Sequence, residues 1–135
     1  MKSNPKTPWR NHAPHGWWIA SYLQRFEWQG AKPATRRSRP LCWENTVILK
    51  AKDREIAFRK AIALANSSAT GKWQLLDDPP GHLGRWIFEG LTRLVPIYDS
   101  LEDGAEVLWQ EYTHKSLGSL RQRVRPKAKL EAFNW

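Results

Sequence analysis

The sequence predicts one small α+β domain, a β-β-α-β-β unit whose mostly antiparallel sheet carries one helix on a face, with a basic arm and a basic tail. Three observations predict this class. The length of 135 residues fits a single domain. A hydrophobic content of 41% against 26% charged residues fits a folded chain rather than a disordered one. Stretches in which apolar and polar residues alternate, as in strands, flank one stretch in which apolar residues recur every three or four positions, as in a helix. We expect the arm over residues 1–15, the domain over 16–112 and the tail over 113–135.

Two strands are predicted on either side of a long basic loop. Residues 16–28, GWWIASYLQRFEW, alternate along a first strand. The residues on its more aromatic face are Trp18, Ala20, Tyr22, Phe26 and Trp28. Residues 30–40 contain two prolines, a glycine and four basic residues, which is typical of a loop. Residues 41–51 alternate again and predict the second strand.

A helix is predicted to begin after Asp53, which can cap its first turn, with Glu55 favourable to the helix dipole. Apolar residues recur at spacings of three and four over residues 57–65. Because alanine dominates this stripe, we expect the helix to lie close to the sheet.

The second half of the sheet is predicted after a second long loop, DDPPGHLG at residues 77–84. Residues 85–98 predict a third strand, with Trp86 and Phe88 opposite Ile87 and Leu91. Residues 105–112, AEVLWQEY, predict the fourth. In the tail, Leu117, Leu120 and Val124 have the spacing of a short basic amphipathic helix, with a disordered tail as the alternative.

Positive charge is concentrated outside the expected core. Residues 1–40 contain eight Lys/Arg and a single acid, Glu27, and residues 113–135 contain six and a single acid, Glu131. Residues 41–112 contain eight Lys/Arg against eleven acids. Basic clusters at the periphery of a domain are a possible footprint for an anionic partner.

Nine tryptophans are the strongest peculiarity of the composition. Those that fit core strand positions are Trp18, Trp43, Trp86 and Trp109. Those in the arm, a loop and the extreme C-terminus, where we expect exposure, are Trp9, Trp73 and Trp135. An exposed Trp beside Arg is suited to stacking on a nucleic-acid base or to anchoring a protein interface.

A family resemblance rests on several motifs in a fixed order. The run WENTVILKAKDREIAFRKA at residues 43–61 leads from a Trp-Glu pair through a strand and an acidic turn into an Ala-containing helix. Together with the aromatic first strand, W-x-F-x-G at residues 86–90 and DGAEV at residues 103–107, it resembles the bacterial domain of unknown function family 4288 over roughly residues 17–112. The resemblance implies a β-β-α-β-β arrangement and brings no established activity, substrate or catalytic residue.

No catalytic or metal-binding constellation is evident in the sequence. The four histidines are scattered without HExxH or a Cys partner, and the serines do not form GxSxG. Cys42, the single cysteine, is predicted to be a small buried residue. We therefore expect no metal, no cofactor, no small-molecule substrate and no enzymatic activity.

Two function classes remain. The first is a binding module for nucleic acid, in which basic extensions contact phosphates and exposed Trp residues stack on bases. The second is a protein-interaction subunit, immunity-like or defence-associated, that docks an acidic partner. The sequence lacks a bilayer-spanning apolar stretch and an apolar signal segment, which predicts a cytoplasmic location without membrane contact. The candidate binding residues for either class are Lys32, Arg36, Arg37, Arg39, Arg121, Arg123, Arg125, Lys127, Lys129, Trp9, Trp73 and Trp135.

Overall fold

A computed structural model describes residues 9–30, 39–77 and 80–134. Four antiparallel strands form one sheet in the order β2-β1-β4-β3. The strands are β1 (Trp17–Trp28), β2 (Cys42–Lys50), β3 (Gln74–Asp77) and β4 (Pro80–Pro96). The helices are α1 (Arg54–Ser68) and α2 (Leu117–Arg121), with 3-10 turns at Trp9–Asn11, Lys127–Lys129 and Glu131–Phe133. The predicted α+β class with one helix on an antiparallel sheet is confirmed.

Helix α1 begins where the sequence predicts. The side chain of Asp53 accepts a hydrogen bond of 2.9 Å from the backbone N–H of Ile56 and so satisfies one of the free donors of the first turn. Ala57, Ala61 and Ala65 are buried against the sheet at a spacing of four. Because these methyl groups are small, the helix approaches the strands closely.

The core lies between α1 and the half of the sheet near the start of β1. Trp18 and Ala20 are buried there together with Leu49 of β2 and the helix alanines. The indole N–H of Trp18 donates to the carbonyl of Ala51 at 3.0 Å, so this large ring is buried without an unpaired donor. At the far end of α1, the Tyr22 hydroxyl donates to Ser68 Oγ at 3.1 Å.

Two irregularities in the pairing of β1 with β4 set which side chains of β4 face α1. The register shifts between Ser21 and Tyr22 and again between Leu23 and Gln24, so that β4 carries an extra residue at each point. The β4 residues paired with Ala20, Tyr22, Gln24 and Phe26 are Leu94, Leu91, Phe88 and Trp86. Strict alternation predicted Leu91 opposite Phe88, and this was wrong because the bulges return Leu91 to the helix side, where it packs against the core.

The long loop predicted at residues 77–84 is wrong. Asp77 and Pro80 are paired, so β3 and β4 are neighbouring antiparallel strands, and residues 80–84 belong to β4. Pro80 is the first residue of its strand, a position where a missing N–H is tolerated. Pro80, Gly81 and Gly84, which the prediction assigned to a loop, are therefore strand residues.

The fourth strand predicted at residues 105–112 is also wrong. These residues form no strand, and β3 takes the fourth place in the sheet. Strand propensity reports mainly on packing against neighbouring strands, which this segment lacks. Trp109, predicted in the core, is instead 47% exposed and lines an open groove of about 410 Å³ with Arg10, Arg93 and Glu111.

Residues 106–134 lie outside the strands of the sheet, and all of them except the half-buried Leu120 are exposed. Within this segment α2 is a single turn capped by Ser116, whose side chain accepts from the N–H of Ser119 at 3.1 Å. None of the helices within the described ranges has the length and apolar character needed to cross a membrane.

Candidate nucleic-acid interface

Helix α1 is too short to cover the face of the sheet on which it lies. At about 1.5 Å per residue its 15 residues span about 22 Å. At about 3.3 Å per residue the 12 residues of β1 span about 40 Å. The end of the sheet that contains Trp28 therefore extends past the helix.

Four aromatic rings, which we call the aromatic patch, occupy this uncovered end: Phe26, Trp28, Trp43 and Trp86. Ring centroids are 4.7 Å apart for Trp43 and Trp86, 5.2 Å for Phe26 and Trp86, and 5.0 Å for Phe26 and Trp28. Trp43 is 52% exposed and Trp28 is 42% exposed, whereas Phe26 and Trp86 are half-buried. The two inner rings thus support two outer rings that present their surfaces to solvent.

The prediction that Trp43 packs in the core is corrected by this arrangement. Strand β2 is an edge strand, and Trp43 lies near its start, where α1 does not reach. The neighbouring Cys42, on the other face of this edge strand, is also exposed, which contradicts its prediction as a buried residue.

Gly84 shapes the floor of the aromatic patch. It is buried and paired with Trp28 across the strands, and a Cβ at this position would lie on the Phe26 ring, 2.8 Å from Cε2, and 3.0 Å from Leu76 Cδ1. Both neighbours belong to packed side chains, so a methyl group here requires the ring to move.

We expect Gly84→Ala to destabilise the fold by about 1–3 kcal/mol through overpacking. Urea unfolding followed by tryptophan fluorescence measures the change. Gly118→Ala is the matched control, since a Cβ at Gly118 meets nothing within 4 Å. If the two variants have the same free energy of unfolding, the Phe26 ring moves aside without destabilising the fold, which would contradict this prediction.

Gln24 is a buried polar residue on the same face of β1 as Phe26. It is 4% exposed and is paired with Trp43 on one side and Phe88 on the other. Among the described residues, its Oε1 atom has no hydrogen-bond partner. A buried acceptor without a donor costs about 1–3 kcal/mol. Gln24 therefore contributes less to the free energy of unfolding than an apolar residue of similar size would.

The basic loop, residues 30–40, is joined to the aromatic patch by the chain itself. Strand β1 ends at Trp28 and β2 begins at Cys42, so both ends of the loop start within a few residues of an exposed patch ring. Arg39 is exposed. The sequence between these two strand ends contains four basic residues, of which Arg39 is among the described residues.

The opposite face of the sheet holds a network of charged side chains. The Glu27 carboxylate, 5% exposed, accepts from Arg25 Nη1 at 2.9 Å and from Arg85 Nη2 at 3.2 Å. Arg25 Nε also donates to Glu89 Oε1 at 2.6 Å. Hydrogen bonding to Glu27, and then to Glu89, raises the pKa of the Arg25 guanidinium. Since both guanidiniums are engaged by carboxylates, this network connects β1 with β4 and is poorly suited to binding phosphates.

The structure separates the binding residues predicted from the sequence. Trp73 stacks on the guanidinium of Arg85, with 4.1 Å between the Arg85 Cζ atom and the centroid of the Trp73 ring. This pair lies on the face opposite to the aromatic patch. The tail residues are all exposed: Arg121, Arg123, Arg125, Lys127 and Lys129. Arg39 is the described member of the loop cluster. Outside the described residues lie Lys32, Arg36, Arg37, Trp135 and the side chain of Trp9.

Comparison with protein families adds one finding. The model of the family described as Domain of unknown function (DUF4288) matches residues 17–109. The chain belongs to this family. No curated protein and no solved structure matches the chain. The DUF4288 match includes the whole sheet, α1, the basic loop and all four residues of the aromatic patch, and it ends before the basic tail.

Sequence reasoning missed the aromatic patch of this DUF4288 domain as a site. It assigned Trp43 and Trp86 to the core and sought exposed tryptophans outside the strands. The signal that identifies the patch is the mismatch in length between a 15-residue helix and strands of 12 and 17 residues. Within the described ranges, no three His, Cys, Asp or Glu side chains come together as a metal site.

Proposed function

We propose that this DUF4288 domain binds single-stranded nucleic acid on the aromatic patch, with phosphates held by the basic loop. The observation that carries the proposal is the pair of exposed rings, Trp28 and Trp43, on one face of the sheet, and the sequence between these two residues contains four basic residues. Stacking on an aromatic side chain contributes about 1–3 kcal/mol per base and tolerates every base. The proposed role is binding without catalysis.

The geometry favours single strands over duplexes. An indole can stack on a base only when the face of that base is free, and in a duplex both faces are covered by neighbouring base pairs. The rings of Trp28 and Trp43 stand on different strands at either side of the half-buried pair Phe26 and Trp86. Two successive unpaired bases fit such a surface better than one, because each outer ring offers a separate stacking position.

The basic loop supplies the charge that this surface lacks. Its cationic residues are Lys32, Arg36, Arg37 and Arg39. Each phosphate neutralised on a single strand contributes about −0.7 to the slope of log K against log salt, so four contacts predict a slope of about −2 to −3. We also propose that the protein is bacterial and acts in the cytoplasm.

Fluorescence anisotropy tests this function with labelled 12-nucleotide single-stranded DNA and RNA and a 12-base-pair duplex, at several salt concentrations. We expect the single strands to bind more tightly than the duplex. Replacing the four basic loop residues by Gln should weaken binding and flatten the salt slope toward zero. The matched control replaces Arg121, Arg123 and Arg125 of the tail by Gln and should retain most of the affinity. Absence of single-strand binding at the lowest salt would overturn the proposal.

A further inference from the structure

The C-terminal third of the chain divides into two blocks of opposite charge. Residues 94–114 contain no Lys or Arg. The acids of this first block, which we call the acidic segment, are Asp99, Glu102, Asp103, Glu106 and Glu111. Residues 115–130 contain no Asp or Glu. The bases of this second block, the basic segment, are Lys115, Arg121, Arg123, Arg125, Lys127 and Lys129.

Both segments also expose apolar side chains. In and beside the acidic segment these are Leu101, Val107, Leu108, Trp109 and Tyr112. In and beside the basic segment they are Leu117, Val124, Leu130 and Phe133. A second protein that covers both segments would bury these apolar side chains together with the charges. Nucleic acid fits this tail less well, because it uses neither the aliphatic side chains nor the neighbouring acids, which repel phosphates.

The single chain leaves the two segments largely unmatched. Among the described residues, no ion pair joins an acid of the acidic segment to a base of the basic segment. Tyr112 of the first block does contact the second, since its ring lies 5.5 Å from Lys115 Nζ and 5.5 Å from the Arg123 guanidinium. Hydrogen bonds in the tail, such as Leu120 to Ser116 and Phe133 to Leu130, are local.

We propose that the partner of this region is a second copy of the same chain. The basic segment of each copy packs on the acidic segment of the other, so the same complementary contact is made twice around a two-fold axis. Five acids against six bases give near-complete charge balance across each contact, and the aliphatic and aromatic side chains between them become buried. The contact is electrostatic in part, so association weakens with salt.

Two charge-reversal variants of the full chain test this arrangement. The first carries Arg121→Glu, Arg123→Glu, Arg125→Glu, Lys127→Glu and Lys129→Glu, which leaves Lys115 as the one base of its block and makes both blocks acidic. The second carries Glu102→Lys, Asp103→Lys, Glu106→Lys and Glu111→Lys, which leaves Asp99 as the one acid of its block and makes both blocks basic. Mass is measured by analytical ultracentrifugation at 50 and 500 mM salt, with far-UV circular dichroism to verify folding.

The mass measured for the wild-type chain should be twice the 15.7 kDa of one copy. The Kd of the dimer should be at least tenfold larger at the higher salt concentration. Each variant alone should be monomeric, because its two blocks repel those of an identical copy. An equimolar mixture should form a heterodimer, because every contact is again between opposite charges. The control Arg36→Glu with Arg37→Glu, outside both blocks, should remain dimeric.

A monomeric wild-type chain, reversal variants that still dimerise, or a mixture that stays monomeric would each overturn the proposal. If the chain is monomeric at both salt concentrations and charge reversal of the basic segment abolishes oligonucleotide binding, the basic segment binds nucleic acid and not a second copy of the chain. The outcome is independent of the aromatic patch, so either proposal can fail while the other stands.

Discussion

Trp43→Ala is expected to lower the affinity for single-stranded DNA or RNA by about tenfold or more. Its exposed ring offers one stacking surface, worth about 1–3 kcal/mol per base, and 1.4 kcal/mol corresponds to a factor of ten. The free energy of unfolding should fall by about 1 kcal/mol, the usual contribution of an exposed aromatic pair such as Trp43 with Trp86. Anisotropy titrations and urea unfolding of the same preparation measure the two effects.

Trp73→Ala is the matched control for this prediction. Trp73 is also exposed, and it stacks on Arg85 at the opposite face of the sheet. We expect its loss to leave oligonucleotide affinity within about twofold of wild type. Trp43→Phe should retain most of the affinity, since a phenyl ring still stacks. An equal loss of affinity in Trp43→Ala and Trp73→Ala would show that the aromatic patch is not the binding surface.

Glu27→Gln is expected to reduce the free energy of unfolding by about 2–3 kcal/mol. The carboxylate is 5% exposed between two guanidiniums, and its neutralisation removes the counter-charge that Arg25 and Arg85 share, although Arg25 keeps its ion pair with Glu89. Breaking a fully buried ion pair costs about 3–5 kcal/mol. The value expected here is smaller because the side chains of Arg25 and Arg85 are 29% and 28% exposed and keep part of their hydration.

Glu89→Gln provides the comparison within the same network. The Glu89 side chain is 40% exposed, and within the described ranges its ion pair is with Arg25. Exposed pairs contribute about 0–1 kcal/mol, so this variant should be nearly as stable as wild type in urea unfolding. Similar losses in the two variants would indicate that burial of Glu27 adds nothing to the strength of its interactions.

Local patterns in the sequence predict much of this fold. The alternation over β1 and β2, the cap at Asp53 and the alanine stripe of α1 depend on neighbouring residues, and the structure confirms them. The β3–β4 pairing was missed because Pro80 and Gly81, which belong to β4, are residue types typical of a loop. The bulges of β4 depend on the partner strand, and no local period predicts them.

The candidate site was harder to predict for a related reason. Burial of a tryptophan depends on which element lies above it, and Trp18 and Trp43 have equally good strand positions in the sequence. Trp18 lies beneath α1, whereas Trp43 lies past its reach. The charge clusters were evident from composition, but their division between a loop beside the patch and a separate tail required the topology.

The two bulges of β4 also affect the direction from which a ligand approaches. They lie between the part of the strand under α1, near Leu94, and the part that carries Trp86. Bulges bend the strand that contains them and increase its right-handed twist. We therefore expect the end of the sheet that carries the aromatic patch to turn relative to the part under α1, so that a polymer can lie across the patch without crossing the helix.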